Sequence, residues 1–183
     1  IYAFKALGVN RIVSISACGS LRDDYAPGDI VVPDQLVDFT RLRARSFFGE
    51  GLVAHIGVAD PFCSDLSAKL LSAVNQAGAV AHRGGILITI EGPRFSTRAE
   101  SNLFRSWGMS IIGMTACPEA FLADMPDVVI GDMVLRTLLK NTAAAQKAVV
   151  NLVKGLFDTE PDCSCAHTLE SAIITAPGHI PPE

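Results

Sequence analysis

Thr89–Ser101, TIEGPRFSTRAES, compresses the end of a strand, a tight turn and the start of a helix into thirteen residues. Ile86–Ile90, just before and into this stretch, is apolar and rich in β-branched side chains, and Gly92-Pro93 ends the strand after Glu91. Thr97 is followed three places on by Glu100, the spacing at which each side chain can satisfy the other's backbone N–H, so a helix is predicted to begin there. Arg94, Phe95 and Ser96 then lie on a strand-to-helix loop, where α/β proteins present ligand contacts. The plainer alternative is a connecting turn whose Phe95 fills the core.

The same alternation extends outward. Arg11–Ser16 and Asp29–Val37 read as strands, the second bent or at a sheet edge because Pro33 lacks an N–H. Ser64–Ala77 carries Leu66, Leu70, Leu71 and Val74 on one helical stripe, with Ser64 as its cap and Gly78 as its end. Gly84–Ile90 is a strand, Arg98–Trp107 a helix, Ser110–Met114 a strand, and Pro118–Ala123 opens another helix. Asp132–Leu156 reads as one long helix with Val134, Leu135, Leu138, Leu139, Val149, Val150 and Val153 towards the core, and Val128–Ile130 as no more than a stub of strand. The expected class is α/β, with a mixed, largely parallel central sheet flanked by helices in one domain over 1–183.

With 183 residues, 49% of them hydrophobic and 19% charged, the chain can bury about 70% of its unfolded surface. A net charge of −4 argues against a nucleic-acid partner. No apolar run reaches the ~18–20 residues of a membrane span, and no signal pattern opens the chain, so a cytoplasmic protein with reduced thiols is expected. The first residue is Ile1, inside the helical run IYAFKAL, so the chain reads as a piece of something longer. Among its five cysteines, Cys163 and Cys165 stand near His167. Two sulfurs and one histidine fall short of a zinc site, and a disulfide so local would be strained. A pair of thiols leads those alternatives.

TIEGPRFSTRAES also resembles the central motif of the trimeric purine nucleoside phosphorylases, in particular their 5′-methylthioadenosine phosphorylase branch. ISACGSLRDDYAPGDIVVPDQ (Ile15–Gln35), AHIGVADPFC (Ala54–Cys63), IIGMTACPEAFLA (Ile111–Ala123) and GDMVLRTLLKN (Gly131–Asn141) are similar to further blocks of that family, in the same order. The resemblance runs from Ile1 to about Asn141. It implies a homotrimer that binds a nucleoside and inorganic phosphate, with phosphate a co-substrate and no cofactor or metal. Some heat-tolerant members carry disulfides, including a pair like Cys163 and Cys165. The family has a further strand and a Thr-Asp-Tyr-Asp segment between the two last helices, and two phosphate-gripping segments ahead of Ile1. None of these is found here, so the domain is expected to be incomplete at its N-terminus and near 123–131.

Ser16 and Ala17, at a strand end before Cys18-Gly19, offer N–H groups suited to an anion, although small residues also serve a tight turn. The resemblance implies that Ser16, Ala17 and Thr115 bind phosphate, and that Met114, which could equally be core filler, contacts ribose. It implies that Phe95 stacks on the purine with Ser96 near the base edge, the Ser leaning towards a 6-aminopurine. Val134 and Leu135 match residues that line an apolar 5′ pocket, and His55 one that reaches into the neighbouring subunit's pocket. Gly131 stands where relatives often have Val. Arg41, Arg43 and Arg45 alternate and could attract phosphate or form a solvated basic loop; Arg94 and Arg98 could pair with Glu91 and Glu100.

The implied reaction is phosphorolysis of 5′-methylthioadenosine to adenine and 5-methylthioribose 1-phosphate through an oxocarbenium-like state, driven by positioning and electrostatics. A carboxylic acid would protonate N7; Asp124, Asp127 and Asp132 stand near the place but in no matching motif, so the catalytic acid is unassigned. The 183-residue chain by itself is expected to be inactive or nearly so. The alternatives are a phosphorylase of inosine, guanosine or methylthioinosine, and a non-catalytic trimer-forming relative.

Overall fold

Among the described residues, strands and helices alternate from position 64 onward, as the apolar periods predict. The computed structural model describes residues 1–48, 53–123 and 142–156 together with the backbone of 129–135. Asp124, Asp127, Leu138, Leu139, Cys163, Cys165 and His167 lie outside the described residues, and the family-like spacing around 123–131 is described only from Val129 onward. The element order is α1 (Tyr2–Ala6), β1 (Arg11–Ala17), β2 (Gly19–Ser20), β3 (Ile30–Val32), β4 (Gln35–Phe39), α2 (Ser64–Gln76), β5 (Ala81–Arg83), β6 (Ile86–Ile90), α3 (Arg98–Ser106), β7 (Ile111–Gly113), α4 (Ala116–Ala123), β8 (Val129–Leu135) and α5 (Thr142–Leu156).

The strands form two four-stranded sheets, in the orders β1-β8-β3-β5 and β2-β7-β6-β4. Pairing is parallel for β1 with β8, β3 with β5, β4 with β6 and β6 with β7, and antiparallel for β2 with β7 and β3 with β8. Both sheets are therefore mixed and largely parallel, the character expected of the central sheet.

Asp29–Val37 is not one strand. It divides into β3 and β4, which belong to different sheets. The division falls at Pro33-Asp34, and the partner pair β5 and β6 divides at the same level, at Gly84-Gly85. Asp34 Oδ1 accepts the Gly85 N–H at 3.0 Å, and the Asp34 N–H donates to the Gly85 carbonyl at 3.3 Å. Gly84 has φ 78°, and a Cβ there would lie 2.8 Å from Asp34 Oδ2. Two parallel strands thus turn the corner together, which is why the predicted strand Gly84–Ile90 begins only at Ile86.

Residues 129–135, predicted as a strand stub running into a helix, form the seven-residue strand β8. It pairs with β1 over the whole of Arg11–Ala17, and Leu135 and Val134 pair with Ile30 and Val31 of β3. Short apolar runs fit both periods, and a central slot flanked by two strands outweighs a modest helical preference. Of the predicted helix Asp132–Leu156, the stretch Thr142–Leu156 is helical and residues 132–135 are strand.

The largest core cluster gathers Ile30 and Val32 of β3, Leu66, Leu70, Ala73 and Val74 of α2, and Ala145, Ala148 and Leu152 of α5. The predicted α2 stripe is the buried one, with Leu71 packed at its margin. The face predicted for α5 is displaced: Val150 and Val153 are about half exposed, and only Val149 of the three packs partly against the core. Alanines at 145 and 148 let α5 approach α2 more closely than valines would. The cap of α2 is Cys63 rather than Ser64, its Sγ accepting the Leu66 N–H at 3.5 Å. β6 is buried on both faces: Leu87 joins Tyr25, Val31 and Ile111, while Ile88 and Ile90 join Leu21, Phe104 and Met109 beneath α3. That explains its continuous apolar sequence.

Candidate functional site

The C-terminal ends of β6 and β7, which are parallel neighbours, carry the two loops that matter most. After β6, Gly92 takes φ 72° and turns the chain; a Cβ there would meet Met114 Sδ at 2.8 Å, so the turn and the β7 loop touch. The predicted cap then forms in full. Thr97 Oγ1 accepts the Glu100 N–H at 3.2 Å, and Glu100 Oε2 accepts the Thr97 N–H at 2.6 Å. Arg94 adds a bidentate pair to the same carboxylate at 2.8 and 2.7 Å. Arg94, with the Thr97 N–H next, holds the Glu100 carboxyl down at about 2.

Because that value lies below the ordinary carboxylate range, the ionised Glu100 stabilises the fold above about pH 4.5, and the contribution is lost as pH falls towards about 2. Thermal melts along an acid series should show wild type losing stability through this window faster than Glu100→Gln. The two should converge near its lower end. Parallel curves would exclude the linkage.

With the loop set this way, Phe95 is 83% exposed rather than core filler. It faces a cleft of about 500 Å3 that also holds Ala17, Ser96, Met114 and Thr115, so five residues predicted from sequence come together. Ser16 lies one residue before the lining, half-buried in β1. Val134 and Leu135 pair by backbone with Ser16 and Ala17, at the same end of the sheet but in a strand, not a helix. His55 is exposed and outside the cleft lining.

The lining also includes Cys18 and Gly19, which follow Ala17, and two polar side chains that were not anticipated, Ser101 and Arg105. Ser101 and Arg105 are four apart on α3 and so share a face, a signal that was available in the helical spacing. The Ser101 and Ser96 hydroxyls lie 2.8 Å apart. Arg105 stands 4.0 Å from Asp23 at the exposed rim. Gly19 admits close strand approach, since a Cβ there would be 3.0 Å from Ile112 Cγ2.

The three arginines of the basic segment do not share one environment: Arg41 and Arg45 are exposed, whereas Arg43 is largely buried. Arg43 turns inward, donating to the carbonyls of Met114 (2.7 Å), Glu91 (2.9 Å), Ile90 (3.5 Å) and Cys117, and to Glu91 Oε1 (3.2 Å). Arg45 pairs with Asp38 at 3.3 Å and donates to the Thr40 carbonyl. Glu91 also accepts the backbone N–H groups of Arg41 and Leu42, which with Arg43 keep its carboxyl below the usual range. Of the two pairings considered for Arg94, the one to Glu100 forms, whereas Glu91 pairs with Arg43. Burial pushes the Cys117 thiol up to about 11, which makes it a poor nucleophile. Among the described residues, no three His, Cys, Asp or Glu side chains are grouped to hold a metal ion. No described helix is long and apolar enough to cross a membrane.

The phosphorylase superfamily model matches residues 1–138. The S-methyl-5′-thioadenosine phosphorylase of Geobacter sulfurreducens is 47% identical over 203 positions, covering 100% of this chain and 71% of the relative. That of Koribacter versatilis is 41% identical, covering 99% and 68%. Among solved structures, a methylthioadenosine phosphorylase from an antarctic soil metagenomic library superposes with a TM-score of 0.90 at 33% identity, covering 98% of this chain and 71% of that one. The methylthioadenosine phosphorylase of Schistosoma mansoni in complex with adenine gives 0.83 at 28% identity, covering 92% and 71%.

Proposed function

Since this chain belongs to the phosphorylase superfamily, we propose that it acts in the phosphorolysis of 5′-methylthioadenosine, releasing adenine and 5-methylthioribose 1-phosphate. The observation that carries this reading is the meeting of Ala17, Phe95, Ser96, Met114 and Thr115 in one cleft. Phosphate sits at the strand ends, held by Ser16, the Ala17 N–H and the Thr115 hydroxyl. The purine stacks on Phe95 with its edge towards Ser96, and Met114 packs on the ribose between them. A phosphate oxygen bonds C1′ as the C1′–N9 bond breaks, and the electron pair leaves with the purine, which takes up a proton. Holding both reactants at the sugar's two faces removes most of the entropy cost of the encounter. Phosphate also stabilises the positive charge growing on the ribose.

Val134 and Leu135 serve the apolar 5′ end, a role their backbone position beside Ser16 and Ala17 supports. His55 serves the pocket of a neighbouring subunit in a homotrimer; its exposure, away from its own cleft, suits that role. Inorganic phosphate is the co-substrate, no further cofactor enters, and the cytoplasm is the compartment implied.

A second reading, a trimer-forming relative with no turnover of its own, is favoured by one observation. The match to the Geobacter relative spans 203 positions against 183 residues here, so that relative has positions without a counterpart in this chain. Incubation with 5′-methylthioadenosine, with and without phosphate, decides between them. Phosphate-dependent adenine release supports the first reading and overturns the expected inactivity of the 183-residue chain; a folded protein that releases none supports the second reading. Hypoxanthine release from methylthioinosine at the greater kcat/KM would transfer the assignment to the 6-oxopurine substrates.

A further inference from the structure

The ladder between β6 and β7 stops at Thr89 and Gly113. Immediately beyond it, the carbonyls of Ile90 and Glu91 on one chain and of Met114 and Cys117 on the other are all taken by the Arg43 guanidinium. Its Nε–H goes to the Glu91 carboxylate. A guanidinium has five N–H donors in a rigid plane, and here each has an acceptor. None is left for a substrate phosphate. The side chain is only 22% exposed, and its counter-charge is itself fixed by the Arg41 and Leu42 N–H groups. One arginine from a distant loop thus replaces the missing backbone pairing where the two strand ends separate. One end leads to Phe95 and Ser96, and the other carries Met114 and Thr115.

We propose that Arg43 is a positioning residue: it sets the distance between the base-binding loop and the phosphate-binding strand end, and so the alignment of purine, ribose and phosphate. The catalytic part of this rests on the function proposed above. Misplacing reactants by about 1 Å costs on the order of 100-fold in rate. A lysine keeps the charge but offers three donors on a flexible stem, too few and too loosely held to span both chains.

The test compares wild type, Arg43→Lys and, as a neighbouring control, Arg45→Lys. In amide hydrogen exchange, Arg43→Lys should speed exchange about tenfold or more in segments 91–96 and 113–118, with segment 64–76 in α2 unchanged. Turnover is expressed per adenine-binding site, counted by calorimetric titration, which removes any unfolded fraction. That value should fall about 100-fold, while the separate affinities for adenine and for phosphate stay within about threefold. Arg45→Lys should match wild type in each measurement. Slow exchange at both strand ends in Arg43→Lys overturns the proposal. So does faster exchange with turnover per site unchanged. If wild type itself releases no adenine, the functional reading fails, and the exchange data alone decide whether Arg43 holds the ends. Should Arg43→Lys not fold, Glu91→Gln, which weakens the guanidinium's anchor but keeps the guanidinium, should show the same pattern at smaller amplitude.

Discussion

Replacing Leu70 by alanine is expected to lower the unfolding free energy by about 2–5 kcal/mol. Leu70 has no exposed surface and lies in the cluster that joins α2, α5 and β3. Truncation removes the transfer energy of the lost methyl groups and leaves a cavity. Its neighbours there, Ile30, Val74, Ala148 and Leu152, come from three separate elements, and packed walls of that kind relax little. Leu71, next in sequence but only partly buried, provides the comparison: Leu71→Ala should cost markedly less. Urea titration of the two variants measures the difference. Equal losses would mean that α2 packs through a different face.

Phe95→Ala should do the reverse, leaving stability almost untouched while weakening the base site. The ring is 83% exposed, so little apolar burial is lost with it. Stacking of an aromatic side chain on a nucleic-acid base is worth about 1–3 kcal/mol, or roughly five- to 150-fold in affinity. The KM for 5′-methylthioadenosine and the dissociation constant of adenine should rise within that range, with the KM for phosphate unchanged. Phe95→Tyr keeps the stacking surface and should retain most of the affinity. Unaltered adenine binding by Phe95→Ala would return Phe95 to the status of an incidental exposed ring.

The two variants separate what could be read locally from what could not. Thr97 and Glu100 are three residues apart, and their reciprocal hydrogen bonds need nothing but a helix between them; the cap is present as expected. The stripe Leu66, Leu70 and Val74 follows from the helical period alone. The order of strand-turn-helix blocks was sufficient to place Phe95, Ser96, Met114 and Thr115 at strand ends, where the cleft lies. Ser101 and Arg105 follow from the same helical spacing, four apart on the face of α3 that walls the cleft.

Long-range choices were different. Residues 129–135 fit a strand or a helix, and the slot between β1 and β3 decided for the strand. Asp29–Val37 divides because Asp34 meets Gly84-Gly85, residues about fifty positions away. The buried face of α5 depends on how closely α2 can approach, which favours Ala145 and Ala148 over Val150 and Val153. Arg43 looked like one of three alternating surface cations, and its five acceptors lie 47 to 74 residues further along the chain.

From its sequence by itself this chain determined an α/β class, the helix cap and the residues at the strand ends, since each rests on short-range patterns, with the family motif legible as a resemblance. Only the tertiary structure decided strand partners, the buried face of α5 and the role of Arg43. Those depend on which distant backbone groups are left without a partner when the sheets close, and no local pattern encodes that remainder.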